Sequence, residues 1–223
     1  MRIIFSILWK DMLSEIRSKD LFISMFTFSL IIIFIFSIVL NLSADIKNVV
    51  SPAVLWITFL FSGSIGLGRS FAMEKESEAI KGLLLAPVDR SLIYVGKFLS
   101  NFTFLLIIEL FTIPIFIVVF NYGLNINFMG IILVIFLGTV GFGSVGTVFA
   151  AMSINTRLRE VLLPILYFPI IIPVLLASVN ITGSLLDGKM LTDNASSLQL
   201  LIVFDIIFLS AGILLYQYVI EES

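Results

Sequence analysis

The stretch Leu21-Phe-Ile-Ser-Met-Phe-Thr-Phe-Ser-Leu-Ile-Ile-Ile-Phe-Ile-Phe-Ser-Ile-Val-Leu40 decides the fold, because it is long, apolar and free of charge. As a helix it rises about 30 Å, the thickness of a bilayer's hydrocarbon core. Lipid offers no partner to a free N–H or C=O, so such a run must satisfy its own backbone as a helix. Five further runs follow, at about Val50–Gly68, Phe98–Phe120, Ile126–Met152, Val161–Asn180 and Leu198–Ile220. They are continuous rather than alternating, which excludes barrel strands. The expected fold is an all-α integral membrane protein, one transmembrane domain over residues 1–223 with six spans.

Composition agrees. Of 223 residues, 60% are hydrophobic and 13% charged, with a mean hydropathy of +1.18; globular domains sit nearer 45–50% apolar. No room is left for a soluble catalytic domain, so the chain is not expected to be an enzyme. Cysteine and histidine are absent, which removes disulfides, thiolate nucleophiles, zinc sites and imidazole acid–base chemistry. No bound cofactor or metal is expected. There is no G-x-x-x-x-G-K-[ST] loop, so any dependence on ATP must come from another chain. No basic cluster suits nucleic acid.

Charge placement sets the topology. Eleven of the 13 Lys and Arg residues fall in the N-terminal segment and in the connections after the second and fourth spans; Lys47 and Lys189 alone fall opposite. By the positive-inside rule both termini are cytoplasmic. Met1–Asp20 places Phe5, Leu8, Trp9, Met12 and Ile16 at helical steps, with Lys10, Ser14 and Arg17 away from them. That pattern predicts a helix lying in the headgroup plane; the plainer alternative is a polar lead into the first span. Met73–Lys97 is the longest cytoplasmic piece. Glu74, Glu76 and Glu78 open it, Ile80, Leu83 and Leu84 follow at helical spacing, and Pro87 closes it. A short helix with an apolar face suits either a groove on a partner or the protein's own inner surface.

Inside the spans, two carboxyl groups stand out, Glu109 and Asp205. Charge at such depth costs at least about 2.5 kcal/mol. The residues suit a substrate path or proton site, or equally polar contacts that fix helix packing. Gly143, Gly146 and Ala150 fall on one helix face and permit close helix approach. Gly141-Phe-Gly-Ser-Val-Gly146 fits the dinucleotide pattern in letters but lacks the strand and acidic residue that give it meaning. Pro164, Pro169 and Pro173 in the fifth span, and Pro114 in the third, are expected to kink their helices.

Together these pieces resemble the permease subunits of six-helix, ABC-2-like exporters. The carriers are Lys10-Asp11-x-x-x-Glu15-x-Arg17 before the first span, Leu83-Leu-Leu-Ala-Pro87, and Gly96-Lys97 leading into the third span. With Pro169-Ile-Ile-Ile-Pro173-Val, the chain more narrowly resembles the cytochrome c maturation protein B (haem exporter protein B) family over nearly its whole length. One departure is Glu78, where many relatives carry Gly. The resemblance implies two copies of this chain paired with two copies of an ATPase that holds ATP and Mg. It implies a coupling helix at Glu74–Pro87 and haem as the candidate cargo. It also implies haem-handling and haem-chaperone membrane proteins as partners, in a bacterial inner membrane or, alternatively, a mitochondrial one. Because haem iron is usually held by His, Cys, Met or Tyr, and the first two are missing, the chain is expected to drive release of a haem-loaded partner rather than to grip iron. Two other functions fit the same residues: an exporter permease for another substrate, and an ion-coupled transporter using Glu109 and Asp205.

Overall fold

The computed structural model describes residues 2–41, 44–76, 89–122, 127–153 and 159–221. The described residues form seven α-helices and one short 3₁₀ turn: α1 Arg2–Ser18, α2 Asp20–Asn41, α3 Ala44–Glu76, α4 Arg90–Val119, α5 Phe128–Ser153, α6 Arg159–Leu186, the turn Leu191–Asn194, and α7 Ala195–Glu221. Helices α2 to α7 each contain a segment long and apolar enough to cross a membrane.

The helix ends have local causes. Lys19 adopts a left-handed backbone (φ 59°) and its N–H returns to Glu15 O at 2.7 Å, a single-bond C-cap that separates α1 from α2. Asn121 (φ 50°) ends α4 with Asn121 N–H on Val118 O and Tyr122 N–H on Ile117 O. Gly188 (φ 81°) ends α6 in the same way, through Leu185 O and Ser184 O. Both are Schellman caps, which satisfy carbonyls the helix would leave bare. At the start of α4, Asp89 accepts the N–H of Ser91 at 3.0 Å.

Helix α3 runs Ala44–Glu76, beyond both ends of the apolar run Val50–Gly68, and two further boundaries differ. Helix α4 begins at Arg90 rather than Phe98, because Lys97 lies inside the helix and is buried rather than marking its exit. Helix α6 runs past Asn180 to Leu186, because Ile181 and Leu185 are fully buried and continue its packed face.

Helix α5 is the axis of the bundle and touches α3, α4, α6 and α7. Gly138 faces Trp56 of α3, Gly141 faces Asp205 of α7, and Gly143 faces Phe98 of α4. Gly146 lies under Leu67 of α3 and near Tyr167 of α6. The glycines therefore admit several neighbours around one helix. Ala150 is buried nearby, at the edge of a cavity of about 440 Å³ lined also by Ser64, Gly68, Arg69, Ser153 and Leu163. Pro114 lies within α4 and Pro164, Pro169 and Pro173 within α6, each inside a continuous helix.

The ends of the helices sort by charge. Arg69 near the end of α3 donates to Ser24 Oγ of α2 at 2.8 Å and approaches Asp20 at 3.9 Å. Arg90 at the start of α4 donates to Gln217 O near the end of α7 at 3.4 Å. The start of α2, the end of α3, the start of α4 and the end of α7 thus meet at one end of the bundle, where α1 also lies.

Candidate functional site

The residues of α1 that turn inward are Ile7, Asp11 and Glu15, one helical turn apart from each other. This reverses the usual polarity. Phe5, Trp9 and Ile16 face outward at 66%, 60% and 68% exposure, while two carboxylates face the protein.

Each inward residue meets a specific partner. Ile7 lies over Gly96 of α4, where an added Cβ would come within 3.0 Å of it, so glycine lets the two helices approach more closely than a side chain beneath Ile7 would. Four residues on, Asp11 Oδ2 accepts from Lys97 Nζ at 2.9 Å, and Asp11 Oδ1 pairs with Lys10 Nζ at 3.0 Å. Lys97 is only 2% exposed, and its ammonium also stands 6.0 Å over the ring of Phe71, near the end of α3. Four residues further, Glu15 Oε1 accepts the N–H of Phe22 at 2.7 Å, in the first turn of α2. A carboxylate there satisfies an orphan donor and complements the positive end of that helix.

The electrostatics follow. Burial alone would raise Asp11; the ammonium groups of Lys97 and Lys10 outweigh it and hold the carboxyl below its usual value of 3.8. At Glu15 burial dominates and pushes the carboxyl up, and the bond from Phe22 only partly offsets this. Removing one partner of a buried pair such as Asp11–Lys97 strands the other and costs about 3–5 kcal/mol. Helices α1, α3 and α4 thus converge on one side chain, Lys97. The sequence carries the signal for this clasp, Asp11 and Glu15 four apart with Gly96-Lys97 in tandem. What it does not carry is the inward direction of the acids.

Deeper in the bundle, Glu109 of α4 is 2% exposed. Its carboxyl oxygens lie 2.7 and 2.9 Å from Thr139 Oγ1 of α5, which is also 2.7 Å from Ile135 O. On the same antiparallel pair of helices, Asn101 Nδ2 donates to Thr147 Oγ1 at 3.0 Å. Residues 101 and 109, and 147 and 139, are equally spaced, so the two contacts are rungs in one register. Tyr94 and Tyr167 donate to the α5 carbonyls of Ser144 and Phe142 from either side. Trp56 Nε1 ties α3 to α6 through Thr182 Oγ1 at 2.9 Å, and Ser51 and Tyr122 hydrogen-bond at the opposite end. Asp205 differs. Both its oxygens are buried without a hydrogen-bond partner among the described residues, and Oδ1 lies 3.1 Å from where a Gly141 Cβ would stand.

Of the predicted coupling residues, Glu74 and Glu76 lie in the last turn of α3. Glu78, Ile80, Leu83, Leu84 and Pro87 fall outside the described residues.

Comparison with known proteins adds the family. A family model described as "CcmB protein" matches residues 2–216, from the start of α1 almost to the end of α7. The chain is similar to "Heme exporter protein B" of Pseudomonas aeruginosa, 24% identical over 162 residues and covering 72% of each chain. It is similar also to "Heme exporter protein B" of Haemophilus influenzae, 21% identical over 174 residues and covering 78% of each. A match that takes in α1, its partners on α4 and all six candidate spans places the whole chain in one family: it belongs to the CcmB family.

Proposed function

We propose that the chain is the membrane-spanning permease subunit of an ABC-type complex that exports haem, or releases a haem-loaded chaperone, during c-type cytochrome biogenesis. The observation that carries this reading is the family match over residues 2–216, together with relatives named as haem exporters. In this reading two copies pair with a separate ATPase that supplies ATP and Mg chemistry, and haem-handling membrane proteins complete the complex. The protein sits in the bacterial inner membrane with both termini cytoplasmic. The gathering of Arg69, Arg90 and Lys97 with α1 at one end of the bundle supports that orientation.

The clasp supports a route for the force. The connection between α3 and α4 is the segment on which an ATPase would push. Its two flanking helices meet at Phe71 and Lys97, and Asp11 holds α1 to the same point. A buried ion pair does not part cheaply, so α1 and the start of α4 move as one body. No part of this requires the chain to ligate iron, and it contains no His or Cys to do so.

The test is co-purification from native membranes under mild detergent, with identification of the companions. An ABC ATPase and a second copy of this chain are expected. Transport or cytochrome maturation that persists after the ATPase gene is deleted would contradict the reading.

A further inference from the structure

The outward face of α1 has none of the described residues packed over it, and its chemistry is specific. Phe5 and Trp9 stack with ring centroids 6.4 Å apart and both are exposed, as is Ile16. In water this would be an apolar stripe with nothing to cover it. The charges around it are one-sided. The acids of α1, Asp11 and Glu15, are turned inward and buried. Arg2, Arg17 and Lys19 are exposed, and none of them forms an ion pair among the described residues. Lys10 is half-exposed and shared with Asp11. Asp20, exposed at the start of α2, faces Arg69 at 3.9 Å. The outward face of α1 itself thus presents aromatic and aliphatic side chains with exposed cations and no exposed acid of its own, the composition of an interfacial helix that favours anionic lipid.

We infer that the outward face of α1 is a binding site for anionic phospholipid headgroups, with Phe5, Trp9 and Ile16 seated in the acyl layer beneath them. This rests on the placement of α1 at the cytoplasmic leaflet. The inward acids then have a second role: they clear negative charge from the lipid side while securing the helix to α4. Each cation near such a surface contributes roughly five-fold in preference for anionic over zwitterionic lipid.

The chain contains two tryptophans, and Trp56 is fully buried. The fluorescence lost in Trp9→Phe is therefore the signal of Trp9, obtained without touching the core. The chain is placed in bilayers of equal parts phosphatidylcholine and phosphatidylglycerol, with bromine carried on the acyl chains of one lipid or the other. Brominated phosphatidylglycerol is expected to quench Trp9 several-fold more than brominated phosphatidylcholine. High salt, or the Arg2→Gln, Arg17→Gln, Lys19→Gln triple variant, is expected to erase the difference. Equal quenching by both lipids overturns the anionic site and leaves α1 on the membrane. Quenching by neither lipid, with aqueous iodide effective instead, overturns the placement of α1 as well. Protection from lipid and iodide alike means a protein partner covers the face, and also overturns the proposal.

Discussion

Two regions of this bundle bury carboxyl groups, and they do so in different ways. At the Lys- and Arg-rich end, Asp11 faces Lys97 at 2.9 Å and Glu15 caps α2. Near the opposite end, ten residues in from the outer ends of α4 and α7, Glu109 meets only a threonine hydroxyl among hydrogen-bonding groups of the described residues, and Asp205 meets none. The first region spends charge on holding one helix to another, and its partners come from three elements. The second places single polar groups against the central helix, with no ion pair among the described residues. Charge opposite charge makes a joint that survives mechanical load, whereas a lone carboxyl against a hydroxyl or a glycine only sets register. In the proposed function the edge bears the force, and the interior acids are proposed as packing elements.

The largest expected effect breaks the edge. Lys97→Met removes the ammonium that faces buried Asp11, leaving half-exposed Lys10 as its cation, and should lower unfolding stability in mixed micelles by about 3 kcal/mol, the lower end for a broken buried pair. The Asp11→Leu, Lys97→Met double variant should recover much of this, since an apolar pair can replace a buried ion pair. Equal stability of Lys97→Met and the native chain would reduce the clasp to a crystal-like contact of no consequence.

A smaller effect probes the central helix. Gly138→Ala places a methyl 2.4 Å from the ring of Trp56, which is itself held by Thr182. A loss of about 1–3 kcal/mol is expected. Gly68→Ala meets nothing within 4 Å and should be neutral or gain up to about 1 kcal/mol from helix propensity. Comparing the two in one unfolding assay separates packing from backbone entropy.

The smallest effects concern the interior acids. Glu109→Gln keeps a partner for Thr139 and should cost about 0.6 kcal/mol, the usual size of an interhelical polar contact in a membrane. Asp205→Asn loses no hydrogen bond in this structure and should change stability less than Glu109→Gln does. Both should retain c-type cytochrome maturation in a complementation assay. Loss of maturation in a fully folded Glu109→Gln or Asp205→Asn protein would instead make these acids part of a conduction path and collapse the contrast.

The six spans were legible because length and hydrophobicity alone dictate them, and the helix positions of Leu21–Leu40 and Ile126–Met152 differ from α2 and α5 by no more than a residue or two. The interfacial pattern of Phe5, Trp9 and Ile16 was readable along α1. The burial of Asp11 and Glu15 on the opposite face was not, because it depends on Lys97 of α4 and on the start of α2. Lys97 was readable as a connection residue and proved to be inside a helix, because its burial depends on Asp11, 86 positions away in sequence. The glycines of α5 were legible as a sign of close approach. Their distribution over four neighbours was not, since a single helix does not reveal how many others surround it. The pairing of Glu109 with Thr139 likewise depends on the register of two antiparallel helices, which the spans leave open.

The most direct test joins Ile7 to Gly96. The chain has no native cysteine, and the Cβ of Ile7 lies 3.0 Å from the Cβ position at residue 96, so a separation of about half an ångström more, within reach once the isoleucine is shortened, suits a disulfide. In the Ile7→Cys, Gly96→Cys variant, oxidation of native membranes should lock α1 to α4, and the locked protein should still support c-type cytochrome maturation, as a joint that moves as one body requires. Failure of the two cysteines to bridge while both react with a thiol reagent, or bridging that abolishes maturation reversibly on reduction, would contradict the account.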